Sequence, residues 1–312
     1  MDIEISRNDI AAARDRIAGD IRHTPLLRIA GGELGIDGVE LWLKLEHLQV
    51  SGSFKARGMF NRMRSNPVPA AGVVIASGGN GGIAVACAAQ ALGVRCEVFL
   101  PETSSRAKRD RLARLDARVT NGGPSYSDAL SASLARQAET GALLMHAYDQ
   151  QEVVVGAATL AAEVEADAGV PDRALVSVGG GGLIAGVSAW FGDRCTIDAV
   201  EPELAPTLFR ARAAGTPVDV AVSGIAADSL GASRIGNIAW AQTQRHVDHA
   251  YLLSDAAIRT AQQTLWQELR LAVEPAAALP LAALTTRAVR PERGEKVLLV
   301  ICGANVDLAT LV

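Results

Sequence analysis

Short apolar runs, each closed by glycine or proline, alternate along most of this chain with alanine-rich stretches whose apolar residues recur at helical spacing. Residues 7–19 (RNDIAAARDRIAG) predict an amphipathic helix, with Asn8 as its cap and Gly19 as its stop. His23-Thr24-Pro25-Leu26 turns the chain into an extended segment, and the alternation over 39–46 (VELWLKLE) predicts a strand. Pro67 and Pro69 then break the chain. Beyond them the pattern predicts a strand at 73–77, a tight turn at 78–82, a helix at 83–92 stopped by Gly93, and a strand at 96–100. A helix at 104–115, a short strand near 118–119, a helix at 126–140 and a segment at 143–146 continue the alternation to about residue 149. The same grammar returns at 175–178, through the turn 179–182, a helix at 183–191 and a strand at 196–200. Two βαβ units with glycine turns at their switch points predict an α/β protein of two doubly wound units facing a shared cleft. The proline break marks the boundary: residues 71–149 as a small unit inserted in a larger one, 1–70 and 150–312.

Composition supports a large buried core. The chain has 312 residues, 49% of them hydrophobic, and a mean hydropathy of +0.19, whereas aromatics reach only 4%. A formal charge of −4 gives no global basic field, which argues against nucleic acid or an anionic membrane as partner. The basic run 106–118 is interleaved with Asp110, Asp116 and leucines, and reads as a solvated amphipathic helix face. Cys87, Cys96, Cys195 and Cys302 have neither the CxxC spacing nor the neighbouring histidines of a zinc site, and suggest a reducing compartment. The N-terminus lacks a basic start followed by an apolar run, and no stretch reaches the roughly 18 apolar residues of a membrane span. A cytoplasmic protein is expected.

The candidate chemistry centres on Lys55, in Ser51-Gly52-Ser53-Phe54-Lys55-Ala56-Arg57-Gly58. Ser53 reads as the N-cap of a helix beginning there, which puts the lysine in the first turn. An ammonium at the positive end of a helix dipole, partly buried beside Phe54, has a lowered pKa and is a better nucleophile. Gly179, Gly180, Gly181 and Gly182 lie between an apolar strand and an apolar helix, where bare backbone can turn its N–H groups inward and make a phosphate cradle. Two other readings stand beside this one. The spacing GxGxxxG over 180–186, with Glu201 about where a ribose-binding acid would sit, suits an NAD-binding dehydrogenase. That reading leaves Lys55, the Asn80 turn and the second glycine turn without roles, and a non-catalytic binding module explains fewer of the three motifs still.

The lysine segment resembles that of the fold type II pyridoxal-phosphate enzymes, similar in architecture to the tryptophan synthase β subunit, and within them the serine/threonine dehydratases and serine racemase. The resemblance extends in order through Thr24-Pro25-Leu26, Lys44-Leu45-Glu46, Ser77-Gly78-Gly79-Asn80, the tetraglycine, Val200-Glu201-Pro202, Val273-Glu274-Pro275 and Cys302-Gly303-Ala304-Asn305. It implies pyridoxal 5′-phosphate bound covalently to Lys55, with Phe54 beside the ring. It further implies Asn80 at the 3′ oxygen, the four glycines at the phosphate and Cys302 at the ring nitrogen. Ser53, Ser77, Gly78 and Asn80, with the backbone of their turns, would receive the carboxylate of a small amino-acid substrate. The implied reaction is β-elimination from L-threonine, L-serine or another β-hydroxy amino acid, giving a 2-oxo acid and ammonia. β-Replacement, as in cysteine synthase, is the alternative. A homodimer is also implied.

Three departures from the family pattern change the expectation. The racemase has a serine where this chain has Gly78, so the second proton carrier is missing. The family's divalent-cation site uses a glutamate, a backbone carbonyl and an aspartate; Glu201 and Ala205 match, but the third position is Thr207, which weakens a site built for a hard cation. The chain stops at Val312, about where the catalytic part ends, so no appended regulatory domain is expected.

Overall fold

The computed structural model describes residues 5–102, 104–307 and 309; the first residues of the N-terminus and Val312 lie outside them. In chain order the elements are α1 (Arg7–Ile17), β1 (Leu26–Ala30), β2 (Glu40–Lys44), α2 (Lys55–Ser65), β3 (Val73–Ala76), α3 (Asn80–Leu92) and β4 (Cys96–Leu100). There follow α4 (Arg106–Ala113), β5 (Arg118–Asn121), α5 (Tyr126–Thr140), β6 (Leu143–Leu144), α6 (Gln151–Ala168), β7 (Arg173–Ser177) and α7 (Gly182–Phe191). The last are β8 (Thr196–Pro202), α8 (Thr207–Ala214), α9 (Asn237–His246), β9 (His249–Leu253), α10 (Asp255–Leu269), α11 (Pro275–Thr285) and β10 (Lys296–Val300).

The strands form a six-stranded sheet in the order β1-β2-β10-β7-β8-β9 and a four-stranded sheet in the order β5-β4-β3-β6. Every pairing is parallel except β1 with β2, as the α/β reading requires. The central strands are near-continuous apolar runs because helices cover both faces. β2 belongs with them rather than alternating: Leu41, Trp42, Leu43 and Lys44 are all buried.

Local chemistry places the helix ends. Ser6, not Asn8, caps α1: its hydroxyl accepts from the Asp9 amide at 3.1 Å while the Asp9 carboxylate accepts from the Ser6 amide. Ser53 does not cap α2 either, since Phe54 occupies that position without a side-chain bond, and the Ser53 hydroxyl is left over. α3 begins at Asn80, three residues earlier than its apolar run suggests.

α2 carries Lys55 at its first position and is held from two sides. Ala56, Met59, Phe60 and Met63 pack into the apolar cluster of β3, β4 and α3. On the other side α2 meets α6 backbone to backbone at Gly58 and Gly156. A Cβ on either glycine would lie 2.6 Å from a carbonyl oxygen of the opposite helix, Val153 or Arg57.

Beneath this contact lies a fully buried charge cluster. Arg57 donates to both oxygens of Glu46 and both of Glu163, each at 2.7 Å, and to the Thr159 hydroxyl at 3.1 Å. Lys44 donates to Glu163 at 2.6 Å and to the Thr24 carbonyl at 2.7 Å, and the Thr24 hydroxyl donates to Glu46 at 2.5 Å. Two cations meet two carboxylates, so the cluster is neutral. Burial acts to lower the Arg57 pKa and to raise that of Glu163, but the opposite charges outweigh it in both. Removing one partner would strand a buried charge. Glu163→Leu leaves Lys44 with no carboxylate and Arg57 with one, and is expected to cost about 3–5 kcal/mol in a urea unfolding curve. A cost below about 1 kcal/mol would show that the cluster does not hold α2.

Candidate active site

Phe54, Lys55, Asn80, Gly179, Gly180, Gly181, Gly182 and Cys302, drawn from four separate stretches of chain, line one cavity. Ser177, Ser229 and Glu274 complete its polar wall. Ser77 and Gly78 precede Asn80 on the same turn and are half-buried, and Ser53 lies buried two residues before Lys55.

The Lys55 amine donates to the Ala147 carbonyl at 2.6 Å and stands 5.0 Å from the centre of the Phe54 ring. The cavity leaves part of the side chain accessible, yet the amine end is enclosed. That desolvation lowers its pKa to about 8, offset only in part by Cys302 and Glu274. At neutral pH a useful fraction of such an amine is unprotonated, whereas an exposed lysine has almost none. Cys302 is buried, and burial with the neighbouring Glu274 pushes its thiol well above the usual range. It stays a neutral S–H, a weak donor.

The turns around the cavity hold donors in reserve. Among the described residues, the backbone N–H groups of the buried Gly179, Gly180 and Gly181 have no acceptor, and neither have those of the half-buried Gly78 and Gly79 or of Asn80. Donors away from water are seldom left so, and turns with several free N–H groups can receive the oxygen atoms of a ligand. Gly181 has φ +86°, where a side chain would be strained and would press on Ile235 and Ala239 at 2.5 Å. A Cβ on Gly180 would overlap the Tyr148 ring. The Ser53 hydroxyl is likewise buried without a partner among the described residues.

Four participants were not picked out from the sequence. Glu274, 3% exposed, accepts from the Asn80 side chain at 2.8 and 3.0 Å, and burial raises its pKa. Its signal was the Val273-Glu274-Pro275 motif, which marked order but gave no geometry. Tyr148 packs against the glycine cradle, Ala147 meets Lys55, and Arg111 reaches Asn305. The last is an exception within 106–118, whose basic face is otherwise largely exposed: Arg111 of α4 turns to Asn305 at 2.5 Å, on a chain segment far from α4.

Glu201 and Ala205 lie behind the cradle and are already engaged. The Glu201 carboxylate accepts from the Leu208 and Phe209 amides at 2.8 and 2.7 Å, and the Thr207 hydroxyl is 3.1 Å away. Burial raises its pKa to about 7 against these donors. The Ala205 carbonyl accepts from the Thr207 amide, and the Thr207 hydroxyl donates to the Gly179 carbonyl at 2.5 Å. Helix N–H groups thus already engage the carboxylate, and Thr207 adds a neutral hydroxyl where a charged oxygen would be needed, so the residues present fit a hard cation poorly. Among the described residues no group of three or more His, Cys, Asp or Glu side chains is placed to hold a metal ion.

Comparison with known proteins shows the family. Residues 17–303 match the family model described as pyridoxal-phosphate dependent enzyme. The chain is 34% identical over 308 residues to a phenylserine dehydratase of Ralstonia pickettii, covering 96% of this chain and 93% of that one. It is 32% identical to a beta-hydroxyaspartate dehydratase of Paracoccus denitrificans, covering 97% of each. Its fold matches the crystal structure of a T.th. threonine deaminase with a TM-score of 0.90, at 33% identity over 97% of this chain and 99% of that one. The chain therefore belongs to the pyridoxal-phosphate dependent enzymes. It is an enzyme whose cofactor is pyridoxal phosphate, which a buried low-pKa lysine and an unfilled N–H cradle both suit.

The lowered Lys55 pKa has a measurable consequence. Attachment of pyridoxal phosphate to the apoenzyme, trapped with borohydride, should accelerate as pH rises through about 8, where the amine loses its proton, and Lys55→Ala should abolish it. A midpoint near 10 would contradict the enclosure of this amine.

Proposed function

We propose that this chain is a lyase of β-hydroxy amino acids, with L-threonine and L-serine as substrates, and that it releases a 2-oxo acid and ammonia. The observation that carries the reading is the enclosed Lys55 amine facing two turns of unused N–H donors across one cavity. Phenylserine, beta-hydroxyaspartate and threonine, named for the three relatives above, all bear a hydroxyl on Cβ. When bound, pyridoxal phosphate supplies an electron sink for the charge left at Cα.

The protein's own groups supply the rest. Gly179, Gly180, Gly181 and Gly182 would hold the phosphate through their N–H groups, with Phe54 beside the ring and Asn80 as donor to the 3′ oxygen. Ser53, Ser77 and the N–H groups of the Gly78-to-Asn80 turn receive the substrate carboxylate. Lys55 as free amine takes the Cα proton, and as ammonium it can return a proton to the departing hydroxyl. Cys302 would offer the ring nitrogen only a weak neutral donor, which would favour loss of the β-substituent over transamination. The enamine, once released, hydrolyses to the 2-oxo acid and ammonia. The smaller unit, residues 71–149 in this reading, brings the Ser77-to-Asn80 turn to the larger one. All four cysteines are free thiols, which suits the reducing cytoplasm, and the resemblance supports a homodimer.

Incubated with L-threonine or L-serine, the holoenzyme should give 2-oxobutanoate or pyruvate with one ammonia per turnover. Appearance of an added thiol in the product, in place of ammonia, would move it to the β-replacement class.

Racemisation should be very slow beside elimination, because inversion needs a base on each face of Cα and Gly78 offers none. Gly78 is not in the left-handed region, and a Cβ there would stand 3.0 Å from a methyl of the buried Leu100, which need give only a few tenths of an ångström, with Ser104 and Lys108 at ordinary contact distance. Gly78→Ser should therefore fold and add measurable D-serine. Abundant D-serine from the unmodified enzyme, by chiral analysis during turnover, would refute the role given to Gly78.

A further inference from the structure

Asn305 belongs to the closing motif Cys302-Gly303-Ala304-Asn305, yet the proposed chemistry gives it no part. Its side chain is the hub of a chain of hydrogen bonds that runs from the outside of the cleft to the acid inside it. The Arg111 guanidinium donates to Asn305 Oδ1 at 2.5 Å. Asn305 Nδ2 donates to the Ser51 carbonyl at 3.1 Å and to Asn80 Oδ1 at 2.5 Å. Asn80 Nδ2 in turn donates to Glu274, with both carboxylate oxygens within 3.0 Å.

The two ends of an amide have nearly the same shape, so neighbours decide which way it faces. Here the neighbours leave no choice. Arg111 can only donate and the Ser51 carbonyl can only accept, so Asn305 must turn its oxygen to the first and its nitrogen to the second. Its remaining hydrogen then meets Asn80 and demands the oxygen end of that amide. Asn80 is left with its nitrogen toward Glu274 and the cavity. Arg111 has no carboxylate within 4 Å among the described residues, so holding Asn305 is its one direct polar contact there.

We propose that Asn305 is a positioning residue, which keeps the donor end of Asn80 toward the cofactor. The proposal rests on the reading above that Asn80 donates to the ring 3′ oxygen. With the polarity of the chain reversed, Asn80 would present an acceptor to an oxygen and the contact would be repulsive.

Asn305→Asp tests this with almost no change of shape, and its new carboxylate keeps Arg111 as a partner. That carboxylate cannot donate, so Asn80 stands between two acceptors: either its oxygen opposes the new carboxylate, or it turns over and its oxygen opposes Glu274. The expected result is an apoenzyme with Tm lowered by about 3 °C or more, a holoenzyme with a shifted visible band, and cofactor affinity in a fluorescence titration weakened about tenfold or more. Glu274→Gln in the same chain lets residue 274 donate to the reversed amide. The double variant should recover the apoenzyme Tm but keep the shifted band and the weak affinity, because Asn80 still faces the wrong way. A purely structural Asn305 would give Asn305→Asp an unchanged band and affinity, and that result would overturn the proposal. So would recovery of band and affinity together with Tm in the double variant. Asn80→Ala separates the two levels: an unchanged band there would remove the assigned role of Asn80 itself, whereas a shift there without one in Asn305→Asp would sink only the role of Asn305.

Discussion

The structure depends on a neutral set of buried charges under the reactive lysine. Arg57 lies two residues beyond Lys55 and is completely buried with Glu46, Glu163 and Lys44. Charges removed from water are tolerable only when every one is paired and its remaining hydrogen-bonding capacity is used. Satisfying Arg57 therefore commits β2, α2, α6 and the Thr24 segment to one arrangement. Gly58 and Gly156 make it sterically possible. The start of α2 is thus held by a constraint that permits little adjustment, and the Lys55 amine is delivered to a defined place.

The cavity follows the opposite rule. In the charge cluster every donor and acceptor is used, whereas around Lys55 the protein leaves donors unused: the N–H groups of two glycine turns and the Ser53 hydroxyl. Each such group costs stability in the empty protein. Their concentration at one place marks where a ligand completes the structure. Burial acts in the same direction on the ionisable groups, lowering the pKa of Lys55 and raising those of Cys302 and Glu274, so each is biased toward its uncharged form.

Glu201 shows the same physics used for stability instead of binding. Its carboxylate caps the first turn of α8, and Thr207 links it to the carbonyl of Gly179 behind the phosphate cradle. A hydroxyl sits between these two oxygens with its one hydrogen shared, where a second carboxylate would have repelled the first.

Much of this was legible in the chain itself. Apolar runs of strand length, glycine stops and the two repeated strand-turn-helix units determined the α/β class and located both turns, because periodicity and backbone freedom are local properties. The ordered motifs determined the family and pointed to Lys55, Asn80, the tetraglycine and Cys302. Caps were less legible: Ser6 and Asn8 both suit a helix start, and only the fit of the Asp9 carboxylate decides between them. Ser53 looked like a cap because it has the right chemistry at the right spacing, but the chain enters α2 already turned at Phe54. What no local pattern could give is which distant side chains meet. That Glu274 receives Asn80, that Arg111 leaves its basic helix face for Asn305, and that Arg57 is buried rather than solvated were decided only by the tertiary structure. A charged residue reads as exposed until its partners are known, and here, Glu46 beside Arg57 apart, those partners lie about a hundred or more residues away along the chain.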